Sequence, residues 1–167
     1  MGSISSDKER VEGDGYGNRI TSIEQEHERE AVVREALTWI DTPFHHRAQV
    51  KGAGVDCIHF LYAPFRALKL IPEILVPEYP MQWYVHRDNE MLIEAILSVG
   101  GHEIQPPPRK ADVIVTRIGR AYAHGAIVVD WPTVIHANPE LRRVTCDRAD
   151  VSQLFSAHPL KYFSYWK

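Results

Sequence analysis

The hydrophobic rhythm of this chain changes partway along it, and that change limits the fold more than any other feature. In the first hundred residues apolar side chains recur at helical spacing, as in Val33, Leu37 and Ile40. Beyond Pro106-Pro107-Pro108 they come instead in short runs, at residues 112–116, 125–129, 133–137, 143–146 and 160–166. Those runs predict five short strands, with Trp131-Pro132 turning the second into the third. Helices first and an antiparallel meander afterwards is the pattern of an α+β domain. A chain of 167 residues has room for one such domain, with a core that needs no disulfide or metal to staple it.

Residues 1–20 carry almost no apolar cluster and several glycines, so they are expected to form a flexible N-terminal arm that orders only against a partner. Residues 21–167 then make a single domain. Ser22 with Gln25 forms a capping box for the first helix, and Asp41-Thr42-Pro43 closes it. A loop rich in histidine, basic residues and glycine fills residues 44–55. Asp56-Cys57 opens a second helix running to about Leu70, with Phe60, Leu61, Phe65 and Leu68 on its buried side. Pro64 inside it predicts a kink or a short first segment. Residues 71–87 are expected to be an extended loop anchored by Tyr79, Trp83 and Tyr84. Asp88 then caps a third helix over residues 89–99, ended by Gly100-Gly101.

Charge and hydropathy remove several classes of function. A formal net charge of -3 lacks the basic surplus of a general nucleic-acid binder. No run of 18 apolar residues indicates a membrane span, and the N-terminus lacks the basic and apolar stretches of a secretory signal. Action outside the cell of origin would therefore need another means of delivery. Two distant cysteines, Cys57 and Cys146, are expected to be free thiols rather than a disulfide framework.

Cys57 is the first candidate for chemistry. In the first turn of a helix, unpaired N–H groups and the positive end of the dipole favour a thiolate, and the same N–H groups can stabilise an oxyanion. Asp56 before it is a candidate N-cap. The competing reading of Cys57 is a small buried residue. His124 precedes an apolar strand and His136 lies in the next, so a tight turn would bring the two rings side by side. Nucleophile, base and orienting ring make a triad in the sense of cysteine hydrolases. The alternative is a pair of strand histidines with satisfied side chains. His45 and His46 could join Cys57 and His59 around zinc, but no metal-ligand spacing supports that, and no metal or cofactor is expected. Arg47 and Lys51 could contact acidic groups of a ligand or simply be solvated. Arg142 and Arg143 are expected at an exposed strand edge.

The stretch Thr42-Pro43-Phe44-His45-His46-Arg47, followed by Lys51-Gly52-Ala53-Gly54-Val55-Asp56-Cys57, resembles the nucleophile region of NlpC/P60 peptidases. His124-Gly125-Ala126-Ile127-Val128-Val129 and Val134-Ile135-His136-Ala137 resemble the family's second and third catalytic positions. The variety found in tail gene clusters of phages and prophages is similar again at Gly119-Arg120-Ala121-Tyr122-Ala123-His124 and at Asp130-Trp131-Pro132. The likeness covers roughly residues 31–167. It implies a papain-like α+β fold, with N-terminal helices on an antiparallel sheet of about five strands. It also implies a thiol endopeptidase cutting peptidoglycan stem peptides, usually between D-glutamate and a diamino acid. Carried over by position, Cys57 attacks, His124 is the base and His136 orients it, with Phe44, His45 and Asp56 around the substrate and oxyanion. Phe44 stands where the family often has a hydroxyl-bearing tyrosine, and His59 where a small or apolar residue is usual. His59 is expected at a surface or interface.

The tail variety further implies a place at the tail tip of a virion, made in the host cytoplasm and acting at the cell wall, beside other tail proteins. A structural tail-tip assembly protein that keeps the fold with weak or no catalysis is the rival expectation. A thiol acyltransferase on the same scaffold is a third.

Overall fold

A computed structural model describes residues 14–74, 76–80 and 90–167. In chain order it holds helix α1 (Asp14–Leu37), a small hairpin of β1 (Gln49–Val50) and β2 (Gly54–Val55), helix α2 (Cys57–Ala67) and helix α3 (Met91–Ser98). Strands β3 (His102–Ile104), β4 (Val113–Ile118), β5 (Ala121–Asp130), β6 (Thr133–Asn138) and β7 (Arg143–Arg148) follow. A one-turn helix α4 (Gln153–Ser156) leads into β8 (Leu160–Ser164). The strands form a six-stranded sheet in the order β3-β8-β4-β5-β6-β7, antiparallel at each pairing. The architecture is the α+β one expected, and all five anticipated strands are present. The sixth, β3, is only three residues long and mostly polar, so it forms no apolar run.

Alternation along the strands sends side chains to two cores. Val113, Val115, Ile127, Ile135 and Ala137 face the helical side, where they meet Phe60, Leu61 and Phe65 of α2. Ile114, Ala126, Val128 and Val134 face the other way and are covered by Phe155 of α4. The central helix α2 buries Ile58, Phe60, Leu61, Tyr62, Pro64 and Phe65, a little over half of its circumference. It runs uninterrupted through Pro64, so the expected short first segment does not form.

Three local expectations are corrected. Helix α1 starts at Asp14, which makes Ser22 an interior residue rather than a cap. Its buried stripe is Arg29, Val32 and Ala36, continued by Trp39 in the turn that follows, while Leu37 and Ile40 are exposed. An ion pair selects that face: Arg29 donates to Asp112 Oδ1 at 2.8 Å, to the Lys110 carbonyl at 2.6 Å and to Ser164 Oγ at 3.1 Å, under the Trp166 ring. Leu68, expected inside, is the exposed C-cap of α2. The end of α3 is as expected, with Gly100 at φ +93° and the Gly101 N–H donating back to the Ile96 carbonyl at 3.1 Å. Trp83, Tyr84, Asp88 and the first thirteen residues of the arm lie outside the described residues. Among the described residues, no helix is long and apolar enough to cross a membrane.

Candidate active site

Asp56 ends the small hairpin in extended conformation (φ -106°, ψ 178°) and caps α2 by accepting the His59 N–H at 2.9 Å. Cys57 is thereby the first residue of the helix, half-buried, with its thiol directed at the carbonyl oxygen of Ala123 on β5 at 3.9 Å. Buried Asp56 also accepts the Arg47 N–H at 2.7 Å, the His59 ring at 2.8 Å and the Tyr79 hydroxyl. Burial alone would raise its carboxyl, but these donors together hold it below the usual carboxylate value. Tyr79 arrives from the loop after α2, and its carbonyl accepts from His46 Nε2 at 3.0 Å. His59 is thus tied to Asp56 beside the helix start while staying partly exposed at an open surface cleft.

The two strand histidines meet as anticipated. His124 Nε2 and His136 Nδ1 are 2.8 Å apart, and both residues are buried. Phe155 packs on each ring, with centroids 5.7 Å from His124 and 5.1 Å from His136. The pair therefore lies on the α4 side of the sheet, whereas Cys57 packs with the helical-side core. A β-bulge in the β4–β5 ladder falls at Ala123: Thr116 pairs with His124, and the next pair is Arg117 with Tyr122. Cys57 thus contacts β5 at the residue preceding His124. Its sulfur hydrogen-bonds the Ala123 carbonyl, while the His124 ring bonds His136.

The electrostatics reverse one expectation. Burial pushes the Cys57 thiol up to about 12, and the Asp56 carboxylate adds to the rise. The backbone N–H groups of Cys57 and Ile58 pull the other way and do not prevail. A helix terminus contributes on the order of 1–2 kcal/mol to an adjacent charge, which desolvation readily outweighs. Burial also drives His124 well below the ordinary histidine value, helped by the charge on His136. His136 falls to about 4 because burial outweighs its attraction to Asp147. At neutral pH the arrangement is a neutral thiol and two neutral imidazoles.

The remaining predicted residues frame this site. Phe44 is partly buried against the helical-side core and bridges Val55. His45 is exposed, with its ring against Gly54 so closely that a Cβ there would lie 2.7 Å from it. Lys51 is bound to Glu35 at 2.6 Å and Arg47 to Glu78 at 2.7 Å. Arg142 and Arg143 have exposed side chains at the start of β7, but the strand edge expected to be open there is covered by residues 41–44: the Phe44 N–H donates to the Arg142 carbonyl at 2.8 Å, and Arg143 pairs with Asp41 at 3.4 Å. Cys57 and Cys146 are both free, and Cys146 is exposed. Among the described residues, no group of three or more His, Cys, Asp or Glu could hold a metal. Tyr79 and Asp147 are the site neighbours that sequence reasoning missed. Asp147 Oδ2 lies 3.6 Å from His136 Nε2, contributed by a strand whose alternation alone could have placed it on the histidine face.

No family model matches the sequence, and no curated protein is similar enough to match it. Solved structures do resemble the fold, and they are NlpC/P60 domains. NlpC2 from Trichomonas vaginalis superposes with a TM-score of 0.62 at 13% identity, over 84% of this chain and 47% of that one. The peptidoglycan hydrolase RipB from Mycobacterium tuberculosis gives 0.59 at 15% identity, over 95% of this chain and 74% of that one. The NlpC/p60 domain of the peptidoglycan hydrolase SagA gives 0.56 at 17% identity, over 80% of this chain and 96% of that domain. The chain spans about half the length of NlpC2 and nearly all of the SagA domain. The fold is that of an NlpC/P60 domain.

Proposed function

We propose that this protein is a thiol-dependent endopeptidase of peptidoglycan stem peptides, working at the tail tip of a phage or prophage particle. One observation carries the reading: Cys57 occupies the first position of a capped helix in an NlpC/P60 fold and abuts β5 beside His124. In this reading the Cys57 sulfur attacks the amide carbonyl and His124 accepts the thiol proton. The C–N bond breaks, the amine leaves with that proton, and water hydrolyses the thioester. His136 orients the His124 ring. The Cys57 and Ile58 N–H groups are the candidate oxyanion donors. The fold's likeness to two domains named as peptidoglycan hydrolases supports the substrate class. The tail setting rests on the sequence resemblance around His124 and His136.

A second reading is a tail assembly component that keeps the fold for docking. It is favoured by the raised Cys57 pKa, by the thiol's bond to a carbonyl in place of an imidazole, and by Phe44 in place of a hydroxyl. Digestion of purified peptidoglycan by the wild-type protein beside Cys57→Ala, read by mass spectrometry, separates the two. Stem-peptide fragments that vanish in Cys57→Ala establish the endopeptidase and identify the bond. Intact muropeptides from both folded proteins leave the docking role.

A further inference from the structure

Behind the histidine pair the chain of polar groups continues for one more residue. His136 is completely buried, and its Nε2 has no hydrogen-bond partner among the described residues. That nitrogen faces Asp147 Oδ2 at 3.6 Å, longer than a hydrogen bond but within reach of a small side-chain rotation. The register explains the approach. His136 pairs with Thr145 and Val134 with Asp147, so His136 and Asp147 are diagonal neighbours on one face of β6 and β7. Asp147 also lines an open cleft of about 370 Å³ with Thr133, Cys146, Arg148 and Val151, so its carboxylate keeps contact with water while facing the buried ring.

We propose that Asp147 is a positioning residue that sets the tautomers of both histidines; the catalytic part of this inference rests on His124 being the base. A neutral imidazole carries one proton, on one nitrogen or the other. A carboxylate facing Nε2 of His136 favours the proton there, which leaves Nδ1 as an acceptor. The 2.8 Å contact then requires His124 Nε2 to donate, because one nitrogen of the pair must carry the hydrogen. His124 Nδ1 is left with a free lone pair, the form a base needs. The opposite tautomer of His136 would donate from Nδ1, make His124 Nε2 the acceptor and place a proton on His124 Nδ1. That ring could accept nothing from a thiol at Nδ1. The carboxylate therefore decides, two rings away, which nitrogen of His124 is basic.

The test reads the tautomers directly, by long-range ¹⁵N–¹H correlation of the histidine rings at pH 7 in wild type, Asp147→Ala and Asp147→Asn. Asp147 is partly exposed, so both variants are expected to fold, and circular dichroism checks that they do. In the wild type both rings should carry the proton on Nε2. Asp147→Ala should move protons to Nδ1 on both rings, and Asp147→Asn, which keeps an acceptor oxygen, should retain the wild-type pattern. If the wild type hydrolyses peptidoglycan, Asp147→Ala should lower kcat about tenfold or more at unchanged KM, with Asp147→Asn recovering most of it. Identical tautomers in wild type and Asp147→Ala, or Nδ1–H on His136 in the wild type, overturn the proposal. Tautomers that switch in a protein with no hydrolytic activity uphold the Asp147 assignment and remove the endopeptidase reading.

Discussion

His124 Nε2 stands 2.8 Å from Nδ1 of His136, and the protein buries both residues. Neither imidazole can be protonated without placing a charge in the sheet under Phe155. The folded chain therefore resists a proton that the unfolded chain takes readily.

Acid should destabilise the fold through this pair. An unfolded histidine titrates near 6.5 and folded His136 near 4. Between those values the unfolded state binds more protons, so stability rises with pH and is lost as pH falls. His136 alone accounts for about 3 kcal/mol across that window, and His124 adds in the same direction. Urea midpoints at pH 7, 5 and 4 should drop steadily in the wild type and less steeply in His136→Gln. Parallel slopes for the two proteins would show that the pair is not the cause.

Cys57 should alkylate slowly near neutral pH. With its thiol pushed up to about 12, iodoacetamide should label exposed Cys146 first at pH 7. The Cys57 rate should then climb about tenfold per pH unit up to pH 10, as the thiolate fraction grows. Site-resolved mass spectrometry follows both. Rapid neutral labelling of Cys57 that disappears in His124→Ala would instead reveal a preformed ion pair.

Gly125→Ala should loosen the joint between α2 and β5. A Cβ at Gly125 would lie 2.5 Å from Leu61 Cδ1 and 3.1 Å from the Ile114 carbonyl oxygen, and the latter is backbone. Overpacking of this kind costs about 1–3 kcal/mol. Chemical denaturation should show that loss, and adding Leu61→Ala should change Gly125→Ala by less than it changes the wild type. Equal costs in both backgrounds would place the strain elsewhere.

Arg29→Ala should be the most damaging change on α1. It leaves Asp112 buried with its charge uncompensated, apart from the Arg109 N–H at 2.7 Å, and breaking such a pair typically costs about 3–5 kcal/mol. Asp112→Ala should cost a similar amount, and the double variant less than the sum of the two. Additive losses in a double-mutant cycle would mean that the two residues do not act as a pair.

Much of this arrangement is legible in the sequence, for reasons particular to each element. The strands β4 to β8 announce themselves as short runs between turn residues, and the Asp56 cap with Cys57 behind it follows from local backbone chemistry. The pairing of His124 with His136 follows from a tight turn between adjacent strands. Local apolarity points to the wrong face of α1, because Leu37 and Ile40 are more apolar than Ala36. Its orientation is set instead by Arg29 reaching Asp112, which lies 83 residues away. The bond of His59 to Asp56 is not legible locally, because nothing nearby in sequence shows that Tyr79 closes over Asp56.

What the sequence determined by itself is what depends on neighbouring residues: the short apolar runs of the strands, the helix cap, the glycine stop after α3 and the order of nucleophile and histidines. Only the tertiary structure decided how those pieces face one another. It put the histidine pair on the α4 side of the sheet, Cys57 against the Ala123 carbonyl, and Asp147 behind His136. It also decided the direction in which the Cys57 pKa moves. The helix terminus that lowers it is local and readable, whereas the burial that raises it is the sum of contacts from distant segments. Desolvation belongs to the assembled core, and no single stretch of sequence contains it.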